Sequence, residues 1–192
     1  MTDREYNLCI KIQERSTETR TNLLTFSSTT VLAILGLALT SNEDVHSITY
    51  LVPFCLIIPF QARISYYRLI HARVSAYIEI VSPKDAGFTI IGEKVQEKQT
   101  RFFAIIAALV NYEMFILSCA TMCLFYSKHS FPKLQDFSIL DYLMFLLPIV
   151  LSILVFAIIT YAYNYSKWKD IYRIKWEASI KTPIILYDSY HR

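Results

Sequence analysis

Four long apolar runs, separated by stretches that carry nearly all of the charge, set the pattern of this chain. Residues 22–40, 47–62 and 142–163 contain no charged side chain, and residues 102–126 contain one, Glu113. Each run is about as long as a helix must be to cross the ~30 Å hydrocarbon core of a bilayer. The second is the shortest and carries Pro53 and Pro59. Prolines are tolerated in membrane helices, where neighbouring groups satisfy the carbonyls they free. The pattern predicts an all-α integral membrane protein with four transmembrane helices.

Between the second and third runs, ARISYYRLIHARVSAYIEIV holds no glycine or proline, and Ile64, Tyr67, Ile70, Val74, Tyr77 and Val81 recur at intervals of three and four. This is helical spacing. Helix two is expected to run well past the bilayer and to stop at Ser82-Pro83, since a proline disfavours helical geometry in the residue before it. GEKVQEKQTR is expected to lead helix three in, with Glu97 and Arg101 one turn apart. NYSKWKDIYRIKWEASIK is expected to extend helix four. Helices two to four thus extend a single four-span membrane domain, residues 1–192, into a helical region formed by about 63–100 and 164–182.

Composition agrees: 54% of residues are apolar, 18% are charged and the mean hydropathy is +0.35. Soluble domains run closer to a quarter charged. The placement of Lys and Arg orients the spans. Four lie in residues 1–21, seven in 63–101 and six from 164 onward, against two in 127–141 and none in 41–46. By the excess of cationic residues on the cytoplasmic side, both termini are expected to be cytoplasmic; the bacterial inner membrane as their location is what the resemblance described below implies. No cleavable leader is expected, because a charged stretch precedes the first run and no A-x-A-like site follows it.

Catalytic patterns are missing. His46, His71, His129 and His191 are scattered, and GFTIIGEK puts Glu93 where a phosphate-binding loop needs lysine. Cys9, Cys55, Cys119 and Cys123 lack the further ligands a metal site needs and read as small apolar packers. No enzyme activity, metal or cofactor is expected.

Glu113 is the residue that most needs a reason. An ionisable group near the midplane costs at least ~2.5 kcal/mol to insert, so it is presumed functional. It could line a wet interior shared by several copies. Alternatively, a neutral Glu113 could bond to a neighbouring helix, with Asn111 as a second polar tie. In the first span, Thr25, Thr29, Ala33, Gly36 and Thr40 form a stripe of small residues, suited to close helix packing or to a pore wall. In the helix beyond the second span, Arg68, His71 and Arg73 form a basic set that could receive an anionic nucleotide-like signal, a lipid headgroup or a partner protein.

The stretch ERSTETRTNLL leading into a Ser/Thr-rich span, and P-F-x-x-x-x-S-Y-Y-R-L-I-x-x-R-x-x-A-Y-I-E across residues 59–79, resemble small bacterial four-span membrane proteins. Some of these are similar to membrane components of antiviral defence operons. The resemblance covers roughly residues 14–82. It implies a pore-forming or membrane-disrupting effector switched on by a cytoplasmic signal. The function expected is a homo-oligomeric membrane channel or effector gated through its cytoplasmic helices; a non-conducting anchor or sensor that recruits a cytoplasmic partner is the alternative.

The charge asymmetry makes a topology prediction. Reporters fused at residues 1 and 192 should both read cytoplasmic, and one inserted beside Lys133 should read external. A C-terminal reporter on the external side would remove one span, the proline-containing second being the first to fall.

Overall fold

Residues 3–35 contain no glycine and no proline, so nothing local stops a helix once it starts. It starts early. In a computed structural model, which describes residues 2–40, 46–81, 108–132 and 137–181, α1 runs from Asp3 to Thr40. Its 38 residues make a rod about 57 Å long. Thr2 Oγ1 accepts a hydrogen bond from the Glu5 N–H at 3.3 Å, and Asp3 and Glu5 sit in the first turn, where acidic side chains favour the helix dipole. The charged N-terminal stretch, expected only to precede the first span, is therefore continuous helix with it.

A 3-10 turn, Ser47–Leu51, follows and leads into α2, Phe54–Val81. Pro59 lies inside α2 without ending it, and the helix carries on through the long cytoplasmic segment as its spacing predicted. The next described residues, 108–111, are helical, and the chain turns at Tyr112 (φ −101°, ψ 9°) into α3, Glu113–Lys128. Helix α4 spans Ile139–Tyr163. Its start is a reciprocal cap: the Asp141 carboxylate accepts from the Ser138 N–H at 2.9 Å and from its hydroxyl at 2.6 Å, while Ser138 Oγ accepts from the Asp141 N–H at 3.3 Å. Helix α5, Tyr165–Lys181, comes directly after.

The described residues contain helices and no strand. Among the described residues, three helical segments are long and apolar enough to cross a membrane: α1, Ser47–Val81 and α4. Of the third expected span, residues 102–107 lie outside the described residues, and the remainder is divided at Tyr112. The expected lead-in to helix three and the stop at Ser82-Pro83 also lie outside them. Helix four does not run unbroken into the tail as expected. It ends before Asn164, whose Oδ1 accepts the Lys167 N–H at 3.1 Å and so caps a new helix.

The chain forms two compact units: Met1–Thr17, Arg68–Gln99 and Asn164–Arg192 make the first, and Glu18–Tyr67 with Thr100–Tyr163 make the second. Most of the charge falls in the first. The first has a small core, Cys9, Val74 and Ile78, backed by Tyr6, Ile10, Ile70 and Tyr77. The second is larger. Val31 and Leu35 of α1, Tyr50, Leu51, Phe54 and Ile57 around the 3-10 turn, Met114, Leu117 and Phe125 of α3, and Val155 and Ile159 of α4 form its centre.

Among the described residues, several polar groups inside the second unit are bonded at short range, while the buried Thr121 hydroxyl has no hydrogen-bond partner. Ser27 is fully buried and donates to the Leu23 carbonyl at 2.7 Å, and Ser28 donates to Leu24 at 2.8 Å. Buried Gln61 donates to Ser65 Oγ at 3.1 Å, and Ser65 donates onward to the Ile158 carbonyl at 3.3 Å, tying α2 to α4. Tyr50 reaches the Ala38 carbonyl at 3.1 Å.

Burial and the nearby Glu5 carboxylate push the Cys9 thiol above its ordinary range. A thiol reacts through its thiolate, so Cys9 should label slowly while the first unit stays folded. In a chain whose only cysteine is Cys9, maleimide at pH 8 should react about tenfold more slowly than with a cysteine placed at exposed position 8 in its stead. Urea should erase the difference. Equal rates in native protein would contradict a packed α1–α2 contact in the first unit.

Candidate functional site

The first unit has too little apolar core to order three helices by burial alone, and polar side chains complete the work. Gln13 of α1 donates through Nε2 to Ser75 Oγ of α2 at 2.7 Å. The Tyr165 hydroxyl of α5 donates to the same oxygen at 2.8 Å. Ser75 is 1% exposed, so both of its bonds are shielded from water. His71 Nδ1 lies 3.3 Å from the Tyr165 oxygen, with the two rings 5.7 Å apart. The Tyr165 hydroxyl therefore lies within hydrogen-bond distance of both Ser75 and His71. One connected network thus joins Gln13, Ser75, Tyr165 and His71.

A second set of contacts flanks it. Lys169 of α5 forms an ion pair with Glu79 of α2, and the lysine is only 6% exposed. Removing either partner of such a pair leaves an uncompensated charge, at a cost of about 3 kcal/mol or more. Tyr77 donates its hydroxyl to the Glu5 carboxylate and packs against the Trp176 ring at 5.0 Å. Trp176 Nε1 donates to the Arg73 carbonyl at 3.3 Å.

The three basic residues singled out in the sequence are all in this unit, but they do not share a face. At about 100° per residue, Arg73 lies roughly 160° around α2 from His71. The Arg73 side chain is exposed, whereas Arg68 and His71 are half-buried. His71 is committed to the network through Tyr165. The sequence reading missed Gln13, Ser75, Glu79, Tyr165 and Lys169. A signal was present at Glu79, a carboxyl inside the apolar run AYIEIV, which needed a cation from elsewhere in the chain.

In the second unit, Glu113 is half-buried and is the first residue of α3. The unpaired N–H groups of that first turn favour a carboxylate there. Asn111, also half-buried, is two residues earlier across the Tyr112 turn, so the two side chains leave the backbone in different directions. Tyr112 itself packs its ring on Phe156 at 6.0 Å and Tyr163 at 5.6 Å.

The small-residue stripe of α1 is on the outside. Thr25, Thr29, Ala33, Gly36 and Thr40 are all exposed, while the opposite side of the helix buries Ser27, Val31 and Leu35. A methyl group added at Gly36 would meet nothing within 4 Å. The hydroxyls of Thr29, Thr30 and Thr40 donate back to carbonyls four residues earlier, at 2.5, 2.7 and 2.9 Å. Such return bonds leave no unsatisfied donor facing an apolar surrounding. Among the described residues, no three His, Cys, Asp or Glu side chains come together as a metal site.

The bond to Glu5, with burial adding to it, pushes the Tyr77 phenol up to about 12, against 10.0 for the ordinary side chain. Tyr77 lies beyond the uncharged second span, in the first unit. A raised folded pKa means that the stabilisation is complete below pH 10.0 and is lost as the pH climbs to about 12. Tyr77→Phe should therefore lower the stability of the detergent-solubilised protein by about 1.5 kcal/mol at neutral pH. The gap between parent and variant should close between those two pH values, followed by urea unfolding and tryptophan fluorescence. A gap that persists at the alkaline end would mean that the bond to Glu5 is not its source. The chain matches no protein-family model, no curated protein and no solved structure.

Proposed function

We propose that this protein is a homo-oligomeric membrane channel or pore-forming effector of bacterial antiviral defence, held in the inner membrane by four spans with both termini cytoplasmic. The observation that carries the reading is the outward face of α1. A span with Thr25, Thr29, Ala33 and Gly36 exposed, and with open space over Gly36, offers a neighbouring copy a surface on which helix backbones approach closely. The hydroxyls of Thr29 and Thr40 are bonded within the helix, so that part of the face is tolerable in lipid before assembly and can be covered afterwards without stranding those donors.

Gating through the cytoplasmic helices is supported by continuity. Helices α1 and α2 each supply residues to both compact units, so an event at the first unit has a covalent route into the spans. An anionic signal or a partner protein would act on the basic set of α2, Arg68, His71 and Arg73, of which Arg73 is the exposed member. In an assembly, copies of Glu113 gathered about an axis would attract cations, as rings of carboxylates do in cation channels.

The non-conducting alternative, an anchor or sensor that recruits a cytoplasmic partner, has one observation in its favour. Glu113 opens α3, where the helix end itself compensates a carboxylate and no pore is needed to explain it.

Two substitutions separate these readings. Gly36→Leu should leave helix content unchanged, because the site is open within one chain, yet shift the detergent-solubilised protein from oligomer toward monomer in light scattering. Glu113→Gln should keep the oligomer and reduce cation flux when the protein is expressed to the point of depolarising cells. An unshifted oligomer in Gly36→Leu removes the α1 interface. Parent protein that assembles but never depolarises cells, even under phage challenge, leaves the recruitment reading in place of the channel.

A further inference from the structure

Beyond assembly and gating, the second unit contains a groove between α1 and α2 with a distinct chemical gradient. It encloses about 310 Å³ and is lined by Thr19, Leu23, Pro59, Phe60, Arg63 and Tyr67. That is at the small end of ligand-binding cavities, which run from about 300 to 1,000 Å³. Its position along the two helices is informative. Arg20 is the last charged residue of α1 before the uncharged first span, and Arg63 is the first charged residue of α2 after the uncharged second span. The groove therefore straddles the level at which both helices change from apolar to charged sequence. Thr19 and Arg63 stand at its polar end, and Leu23, Phe60 and the Pro59 ring at its apolar end. Phe26, 60% exposed, continues the apolar wall through a ring contact with Phe60 at 5.7 Å.

The polar end is cationic. Arg63 is exposed, and among the described residues no carboxylate pairs with it. Guanidinium is the side chain best matched to a phosphate, which it can hold through two parallel N–H bonds. Tyr66, 58% exposed, and half-buried Tyr67 supply the amphipathic rings that settle at headgroup depth. A molecule that places an anionic phosphate beside a guanidinium and a hydroxyl, and hydrocarbon over Leu23 and Phe60, is a phospholipid seated from the cytoplasmic leaflet. That leaflet's anionic lipids already favour cations at its surface.

We propose that this groove is a binding site for one anionic phospholipid per chain, with its phosphate held by Arg63 and the Thr19 hydroxyl and the start of an acyl chain lying on Leu23, Phe60 and Phe26. The proposal rests on the reading of α1 and α2 as membrane spans. Arg63 recognises the charge, and the apolar wall fixes the depth. Because the lipid would bridge α1 and α2 where both leave the bilayer, its occupancy would bear on how the two helices pack.

The test uses full-length protein in nanodiscs made of equal parts phosphatidylglycerol and phosphatidylcholine, released into native mass spectrometry. The parent should retain one phosphatidylglycerol per chain in preference to phosphatidylcholine. Arg63→Gln should lower that occupancy by about fivefold, the weight of one cation near an anionic lipid, and Arg63→Lys should restore much of it. Lys11→Gln, an equal change in charge on the exposed part of α1 in the first unit, should leave it unchanged. Because Arg63 is exposed, its variants should keep the parent's helix content by circular dichroism. As a check that needs no variant, phosphatidylglycerol added to parent in phosphatidylcholine alone should raise its melting temperature. Equal retention of the two lipids by the parent, or undiminished phosphatidylglycerol on Arg63→Gln, would overturn the site while leaving the spans standing. Protein that stays soluble without detergent and enters no nanodisc would overturn the spans and the site together.

Discussion

Ser27 lies fully buried among Val31, Met114 and the other core residues of the second unit, and the way its hydroxyl is satisfied governs much of the fold. A donor left unpaired there would cost free energy comparable to a whole hydrogen bond. The helix supplies the answer by returning the bond to the Leu23 carbonyl. Repeated at Ser28, Thr29, Thr30 and Thr40, the same solution lets α1 carry many hydroxyls through apolar surroundings without a partner helix. At Ser65 and Tyr50 a bond to the Ile158 and Ala38 carbonyls takes the place of the return bond, whereas the buried Thr121 hydroxyl has no hydrogen-bond partner among the described residues. The tertiary contacts of the second unit are thus few in polar kind and specific in place.

The first unit meets the same constraint with the opposite composition. Its apolar core is a handful of residues, and charged or strongly polar side chains on α1, α2 and α5 must find each other. Lys169 with Glu79, Tyr77 with Glu5, and the bonds meeting at Ser75 do this. The two units therefore differ in what would loosen them. Water entry and charge neutralisation bear on the first, whereas the second responds to changes in packing volume.

Much of this was legible from residue order. The run from Ile64 to Val81 has helical spacing and no breaker, and α2 continues through it. The apolar runs 22–40, 47–62 and 142–163 all fall in helices long enough to cross a bilayer. Other features were hidden for physical reasons. Residues 3–21 have sparse apolar positions, since their buried face carries Cys9, Gln13 and Ser16 in place of Leu or Ile, and a stripe of that kind does not register as amphipathic. The break at Asn164 depends on one capping side chain inside an otherwise helical composition. Arg68, His71 and Arg73 are close in sequence but are spread around the helix by its 3.6-residue turn. The stripe on α1 could be read as facing inward or outward, and only the packing of Val31 and Leu35 places it outside. The polar knot at Ser75 was out of reach, because Gln13, Ser75 and Tyr165 are brought together by topology alone.

The buried pair of Lys169 and Glu79 has a consequence for how this protein can change over generations. Either residue altered alone leaves a stranded charge, and both replaced by apolar side chains of similar volume can be nearly neutral. The path from one state to the other passes through a poorly folded intermediate whichever codon mutates first. Two codons far apart in the gene are thereby joined into a single heritable character, and a lineage that loses one is rescued most readily by a second change at the other.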